Sequence, residues 1–261
     1  MGNNINDGYA DSNRFSDKAL LIYNDFLHSG KFLTHYKWLK NAAETYDIKL
    51  ELMGNSEFLC SYGTSFDKEL IETLGKYRFI LFWDKDIRLG KKFTNICKKI
   101  NIPIYNNIRA IADCDDKSAT YEKIGQWNDC HDTLEQIKMI PTIVAPMTYE
   151  NIGYTDMNFL DKVAEKFGFP LVIKECFGSF GMQVYMAHDM DELKKRVSDI
   201  GGKPMIFQKF IEKSSGFDVR LQVVGDEVVA AMYRYTDDGD FRANITHGGK
   251  MKSYEPDASE I

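Results

Sequence analysis

The sequence predicts an α/β protein whose first part alternates strand and helix and whose later part folds as lobes of mixed α and β structure. Three observations carry this. Apolar runs and segments with helical spacing alternate between residues 19 and 105, the pattern of βαβ units on a parallel sheet. Within them Arg78 to Trp83 (RFILFW) is continuously apolar, as in a strand buried on both faces. Beyond residue 115 the character changes, and two hairpin signals follow, over 169–188 and 218–235.

Residues 1–16 are polar and rich in Asn and Asp, which predicts a loose arm. A first domain is expected over 17–114. Ala19 to Tyr23 reads as a strand, and Phe32 to Tyr46 as a helix from the spacing of Phe32, Leu33, Tyr36, Leu39 and Ala43. Ile48 to Met53 alternates as a strand. Phe66 to Gly75 and Leu89 to Lys99 read as helices, and Pro103 to Tyr105 as a short strand. A lobe over 115–204 begins with a helix from Asp115-Asp116-Lys117 to about Trp127, capped by Asp113 or Asp115, and a second short helix over Asp129 to Lys138. Pro141 to Ala145 is extended, and Asn158 to Phe167 is helical. A helix capped by Asp189 ends at Gly201-Gly202. A second lobe over 205–261 starts with the strand Met205 to Ile211 and the pair Asp218 to Val224 and Glu227 to Tyr235, joined by Gly225-Asp226.

Composition narrows the function classes. A 261-residue chain with 44% hydrophobic and 28% charged residues supports one large or two small globular domains. The net charge of −6 argues against nucleic acid as the main partner. Five scattered cysteines without a CxxC pair fit a reducing, cytoplasmic setting and not a disulfide or zinc framework. No apolar run reaches membrane-spanning length, and Met1 to Asn13 has no apolar signal region.

Residues 169–188 (FPLVIKECFGSFGMQVYMAH) form the most informative stretch. Two β-like runs flank Gly178-Ser179-Phe180-Gly181. A plain hairpin with a flexible tip accounts for the pattern. Two features add chemistry. Lys174 ends an otherwise buried strand, and lysine is rarely buried unpaired. The link is longer than a tight turn requires, and glycines let backbone N–H groups approach an anion. The loop is not a P-loop, because the Gly-Lys-Ser/Thr ending is missing.

The order of motifs then resembles a known family. DDK at 115–117, VIKECFGSFG at 172–181, QKFI at 208–211, GFDVRLQVVGDEVVAAM at 216–232 and GDFRANITHGG at 239–249 are similar in order and spacing to the ATP-grasp ligases, most of all the RimK-like branch. The resemblance covers about residues 19–261. It implies a Rossmann-like pre-ATP-grasp domain followed by two lobes that hold ATP. It also implies ligation of a carboxylate to an amine, of the glutamate-ligase type, with release of ADP and phosphate. Its founding member adds glutamates to a ribosomal protein, so the expected partners are a small-molecule or peptide carboxylate and an amino acid, with a homo-oligomer open.

Carried onto this chain, the resemblance implies a nucleotide site made of Lys117, Lys174, Gly178, Ser179, Phe180, Gly181, Gln208, Lys209, Phe210, Ile211, Asp218, Arg242 and Asn244. Lys117 and Lys174 would bind phosphates, although Lys117 also reads as a solvated helix lysine. Lys209 stands where the family usually has glutamate. Asp218 reads equally as a partner of Arg220, two residues along the same face. Arg242, Asn244 and Arg220 are the expected catalytic residues, the arginines able to offset charge on a transferring phosphoryl group or grip a carboxylate. Arg220, Arg234, Asn107 and Asp84 are candidate substrate contacts. Asp84 and Asn107 follow strands of the parallel sheet, where ligands favour the carboxyl ends, and a solvated charged turn explains Asp84 too.

The resemblance also implies Mg²⁺, held by an aspartate and then a glutamate and asparagine. No such ligands stand in this chain, so they are expected beyond Ile261. This chain alone is therefore expected to bind adenine nucleotide without turning it over, and a second reading is a nucleotide-binding module without ligase activity.

Overall fold

The apolar run Lys18–Tyr23 forms β1, at the centre of a parallel sheet. Its alternating side chains serve two cores. Leu20 and Ile22 pack on one face with Phe82, Leu89 and Phe93, and Ala19 and Leu21 pack on the other with Tyr36 and Leu50. A strand buried on both faces needs apolar residues at successive positions, and β1 supplies them from Ala19 to Ile22. The structure is a computed structural model that describes residues 16–27 and 29–257. All but the last residue of the expected N-terminal arm, and residues 258–261, lie outside the described residues.

The chain divides into two units, residues 1–114 and 115–261. In the first, β1 is followed by α1 (Gly30–Glu44), β2 (Lys49–Gly54), α2 (Thr64–Leu74), β3 (Ile80–Trp83), α3 (Ile87–Lys99), β4 (Ile104–Tyr105) and α4 (Ile108–Asp115). The strand order is β2-β1-β3-β4, all pairs parallel. This is a doubly wound sheet, with its order reversing between β1 and β3. The sequence reading contained no α4. Its start is set by Asn107, whose side-chain oxygen accepts from the Arg109 N–H at 2.9 Å.

The second unit opens with α5 (Lys117–Asp129). Its cap is Asp116, not Asp113 or Asp115: the Asp116 carboxylate accepts from the Ser118 N–H at 2.8 Å and the Ala119 N–H at 3.4 Å. The helix expected over 129–138 does not form beyond the end of α5; that segment is turns, held by Asn128, whose side chain bonds both backbone groups of Ile137. β5 (Thr142–Val144), α6 (Phe159–Phe167), β6 (Leu171–Glu175), β7 (Val184–Ala187), α7 (Met190–Ile200) and β8 (Met205–Lys209) follow. Their strands form a sheet in the order β5-β8-β6-β7, every pair antiparallel.

One face of this sheet is the core. Leu171 and Ile173 of β6 and Met205 and Phe207 of β8 pack with Leu160 and Val163 of α6 and Leu193 and Val197 of α7. Because strand side chains alternate, the residues between them, Val172, Lys174 and Gln208, face the other way. A second antiparallel sheet has the order β11-β10-β9, from β9 (Phe217–Val224), β10 (Glu227–Tyr235) and β11 (Lys250–Ser253). The sequence reading contained no β11; its KMKS pattern carries no apolar alternation. Among the described residues no helix is long and apolar enough to cross a membrane.

Candidate functional site

The inward-turned residues of β6 and β8 open into a cleft of about 210 Å³. Val172, Lys174 and Gln208 line it from the sheet, and Lys209, Phe210 and Ile211 line it where the chain leaves β8. Asp218, Arg242 and Asn244 line it from the segment of β9 to β11. A larger hollow of about 360 Å³ lies in the first unit between α2 and α3. Its lysine, Lys92, is already paired with Asp67, so the smaller cleft offers the more reactive chemistry.

Lys174 is the most telling group in the cleft. Burial, then the nearby Lys117 charge, push its ammonium pKa below the usual lysine value. Both causes disfavour a cation. Among the described residues its ammonium has no hydrogen-bond or ion-pair partner. Lys117 sits differently. Its ammonium donates to the carbonyls of Glu175 at 2.9 Å, Cys176 at 3.2 Å and Gly178 at 3.4 Å. Its backbone N–H donates to the Cys176 carbonyl at 3.0 Å. It therefore ties the start of α5 to the base of the β6–β7 loop.

The loop needs its glycines. Gly178 has φ +150° and Gly181 φ +78°, a region L side chains rarely adopt. A Cβ at Gly178 would stand 2.4 Å from the Gln183 side-chain oxygen, and one at Gly181 would stand 2.6 Å from the Asn244 side-chain oxygen. The segment after β10 grips the loop. Arg242 donates to the Gly181 and Val184 carbonyls at 3.3 and 3.4 Å, and the Thr246 hydroxyl donates to the Phe180 carbonyl at 3.1 Å. Asp240 holds Arg242 from the other side through both its oxygens, at 2.7 to 3.1 Å. That pairing lowers the Asp240 pKa and raises the Arg242 pKa. Ser179 lies in the loop between them.

The remaining expected residues are distributed as follows. Asp218 pairs with Arg234, its cross-strand neighbour, through two 2.7 Å hydrogen bonds, and not with Arg220. Directly opposed residues lie closer than same-face neighbours along a strand. Arg220 is exposed and does not line the cleft. Asp84 and Asn107 belong to the first unit. One Asp84 oxygen accepts from the Asn24 side chain at 3.1 Å and from the Lys85 N–H at 2.6 Å, while the other is buried without a partner among the described residues. The Lys209 N–H donates to the Pro141 carbonyl at 3.1 Å, and the Ile211 carbonyl accepts from the Ser214 N–H at 3.1 Å. These two exit-segment groups are already engaged.

Sequence reasoning missed four residues here. Asp240 stood in the quoted GDFRAN motif. Ile140, Tyr121 and Thr142 had no motif; the pairing register, Thr142 opposite Gln208, reveals one of them. His247, which stands in the GDFRANITHGG motif, has a buried Nε2 without a partner among the described residues, close to Gly181.

The arrangement fits a nucleotide. A cation pair with one partnerless ammonium calls for an anion, and the apolar side chains of Val172, Phe210 and Ile211 suit a flat base. For a metal the fit is absent: among the described residues no three His, Cys, Asp or Glu side chains converge as ligands.

Solved structures share this architecture. D-alanine–D-alanine ligase from Bacillus anthracis superposes with a TM-score of 0.58 at 17% identity, covering 93% of this chain and 73% of that one, which defines an ATP-grasp fold. Residues 129–260 match the RimK-like ATP-grasp domain, and the chain belongs to that family. Among sequence relatives, the uncharacterized protein MG012 homolog of Mycoplasma pneumoniae is 29% identical over 238 residues, 90% of this chain and 76% of that protein. Human N-acetylaspartylglutamate synthase A is 28% identical over 172 residues, 64% of this chain and 38% of that protein.

Proposed function

We propose that the protein ligates a carboxylate to the amino group of an amino acid, glutamate in the first instance, at the expense of ATP. The observation that carries this is the Lys174 ammonium, drawn out of water beside Lys117 and without an acceptor among the described residues, at the wall of a cleft with apolar flanks. In such a setting a charge-assisted contact to phosphate is strong. The family membership supplies the reaction class, and the human relative, a synthase of a glutamate-containing product by its name, supports glutamate as the amine.

In this reading the nucleotide brings a transferable phosphoryl group. Lys174 holds its phosphates, and the 176–183 loop, fixed below by Lys117 and from the side by Arg242, covers them and keeps water out. Arg242 is half neutralised by Asp240 and keeps one arm toward the loop, placed to respond when negative charge accumulates there. The phosphoryl group passes to the carboxylate, the amine displaces phosphate from the acyl carbon, and ADP and phosphate leave. No step is assigned to magnesium, since the described residues offer it no ligand cluster. Asn244 and Lys117 act by orienting the loop, and Arg220, exposed and outside the cleft, is left as a carboxylate contact, whereas Arg234 is held by Asp218.

The test is ADP release by the full chain with ATP, glutamate and a panel of acids that includes N-acetylaspartate and citrate. Release that needs both the acid and the amine is expected. ATP binding without release under every pairing would leave a nucleotide-binding module instead.

A further inference from the structure

The cleft contains a polar group that the proposed function does not yet use. Among the described residues Gln208 is the buried polar side chain, at 2% exposure. Its Nε2 donates to the Tyr121 hydroxyl at 2.5 Å and to the Thr142 hydroxyl at 2.8 Å. Its Oε1 is buried and has no partner among the described residues. A buried amide oxygen left unmatched is costly, and such groups call for an explanation.

The orientation of this amide follows from the hydroxyls. Thr142 has one proton, and it donates that proton to the Ile140 carbonyl at 2.8 Å. Toward Gln208 the Thr142 oxygen can therefore only accept. Turning the amide over would set Oε1 against that oxygen, lone pair to lone pair. The NH₂ arm must face Thr142 and Tyr121, which line a neighbouring hollow. Oε1, on the opposite arm of the same planar group, faces away from them, and Gln208 also lines the cleft.

We propose that Thr142 and Tyr121 set the base choice of this cleft by locking the Gln208 amide so that it presents an acceptor. This rests on the nucleotide reading above and adds base specificity to it. An acceptor matches the 6-amino group of adenine. It opposes the 6-oxo group of guanine or hypoxanthine, which would bring a second lone pair into a buried site. Thr142 and Tyr121 act through Gln208 and are positioning residues.

The test measures affinities of the full chain for ATP, inosine triphosphate and GTP by titration calorimetry. The wild-type protein is expected to bind ATP roughly tenfold or more tightly than the two 6-oxo nucleotides, the usual scale for a mismatched buried hydrogen bond. Equal affinity for ATP and inosine triphosphate overturns the inference without any variant. In Thr142→Val combined with Tyr121→Phe the amide is free to turn, and the preference should fall toward unity while phosphate-driven affinity stays. Thr142→Ser keeps the hydroxyl and should keep the preference. A full ATP preference in the folded double variant overturns the inference and leaves the nucleotide reading standing. No binding of any of the three nucleotides to the wild-type protein overturns both.

Discussion

An ammonium withdrawn from water beside a second ammonium costs free energy that a bound phosphate would return. Lys174→Met should therefore lower ATP affinity by roughly tenfold or more, since a hydrogen bond to a charged group is worth about 1.5–3 kcal/mol. Calorimetric titration checks it. Unchanged affinity in a folded variant would make Lys174 a structural residue. The same group predicts a pH dependence. Its pKa in the free protein lies below the usual lysine value because of burial and Lys117. Phosphate favours the charged form, so affinity is full below that depressed pKa and is lost as pH rises through it. Above it, binding must take up a proton. Titrations in buffers of different ionisation enthalpy should show proton uptake growing toward the ordinary lysine range of about 10.4. A flat profile would mean that Lys174 does not meet the phosphates. Lys174 was legible in the sequence because a lysine ending an apolar strand stands out. The Asp218–Arg234 pair was not, because it depends on the register between β9 and β10, which strand patterns alone leave open.

At the scale of elements, the β6–β7 loop is held by three separate grips: Lys117 at its base, and Arg242 and Thr246 at its tip. Substituting valine at both Gly178 and Gly181 would force side chains into positive φ and into Gln183 and Asn244. The loop should lose its shape while β6 and β7, which pair through residues 171–174 and 184–187, persist. The expected result is ATP affinity reduced with the far-ultraviolet circular dichroism unchanged. Undiminished affinity in the double variant would remove the loop from the site. Strands and helices with a clear apolar period were readable in advance, as β1, β6 and α7 show. The helix expected over 129–138 failed because its polar residues serve better as turn makers: Asn128 bonds the backbone of Ile137 across nine residues. α4 was missed because its eight residues are too few for a period to stand out.

For the whole molecule, charge and site pull in opposite directions. The chain carries 33 basic and 39 acidic residues, so its overall field repels polyanions. Yet the cleft is lined by Lys174, with the charge of Lys117 close by. The reconciliation is local. Lys174 sits inside a cleft of about 210 Å³, and Lys117 is turned onto three backbone carbonyls. Neither offers the open basic stripe that a nucleic acid backbone follows. A triphosphate is narrow enough to enter, whereas a polymer of fixed phosphate spacing meets the acidic surface first. Heparin or duplex DNA should therefore fail to displace a fluorescent ATP analogue at an ionic strength of about 0.15 M, where surface charges are screened beyond roughly 8 Å. Unlabelled ATP should displace it fully. Displacement by heparin at concentrations that match ATP would mean that the lysines belong to an exposed anion-binding surface, and the enclosed site proposed here would be wrong.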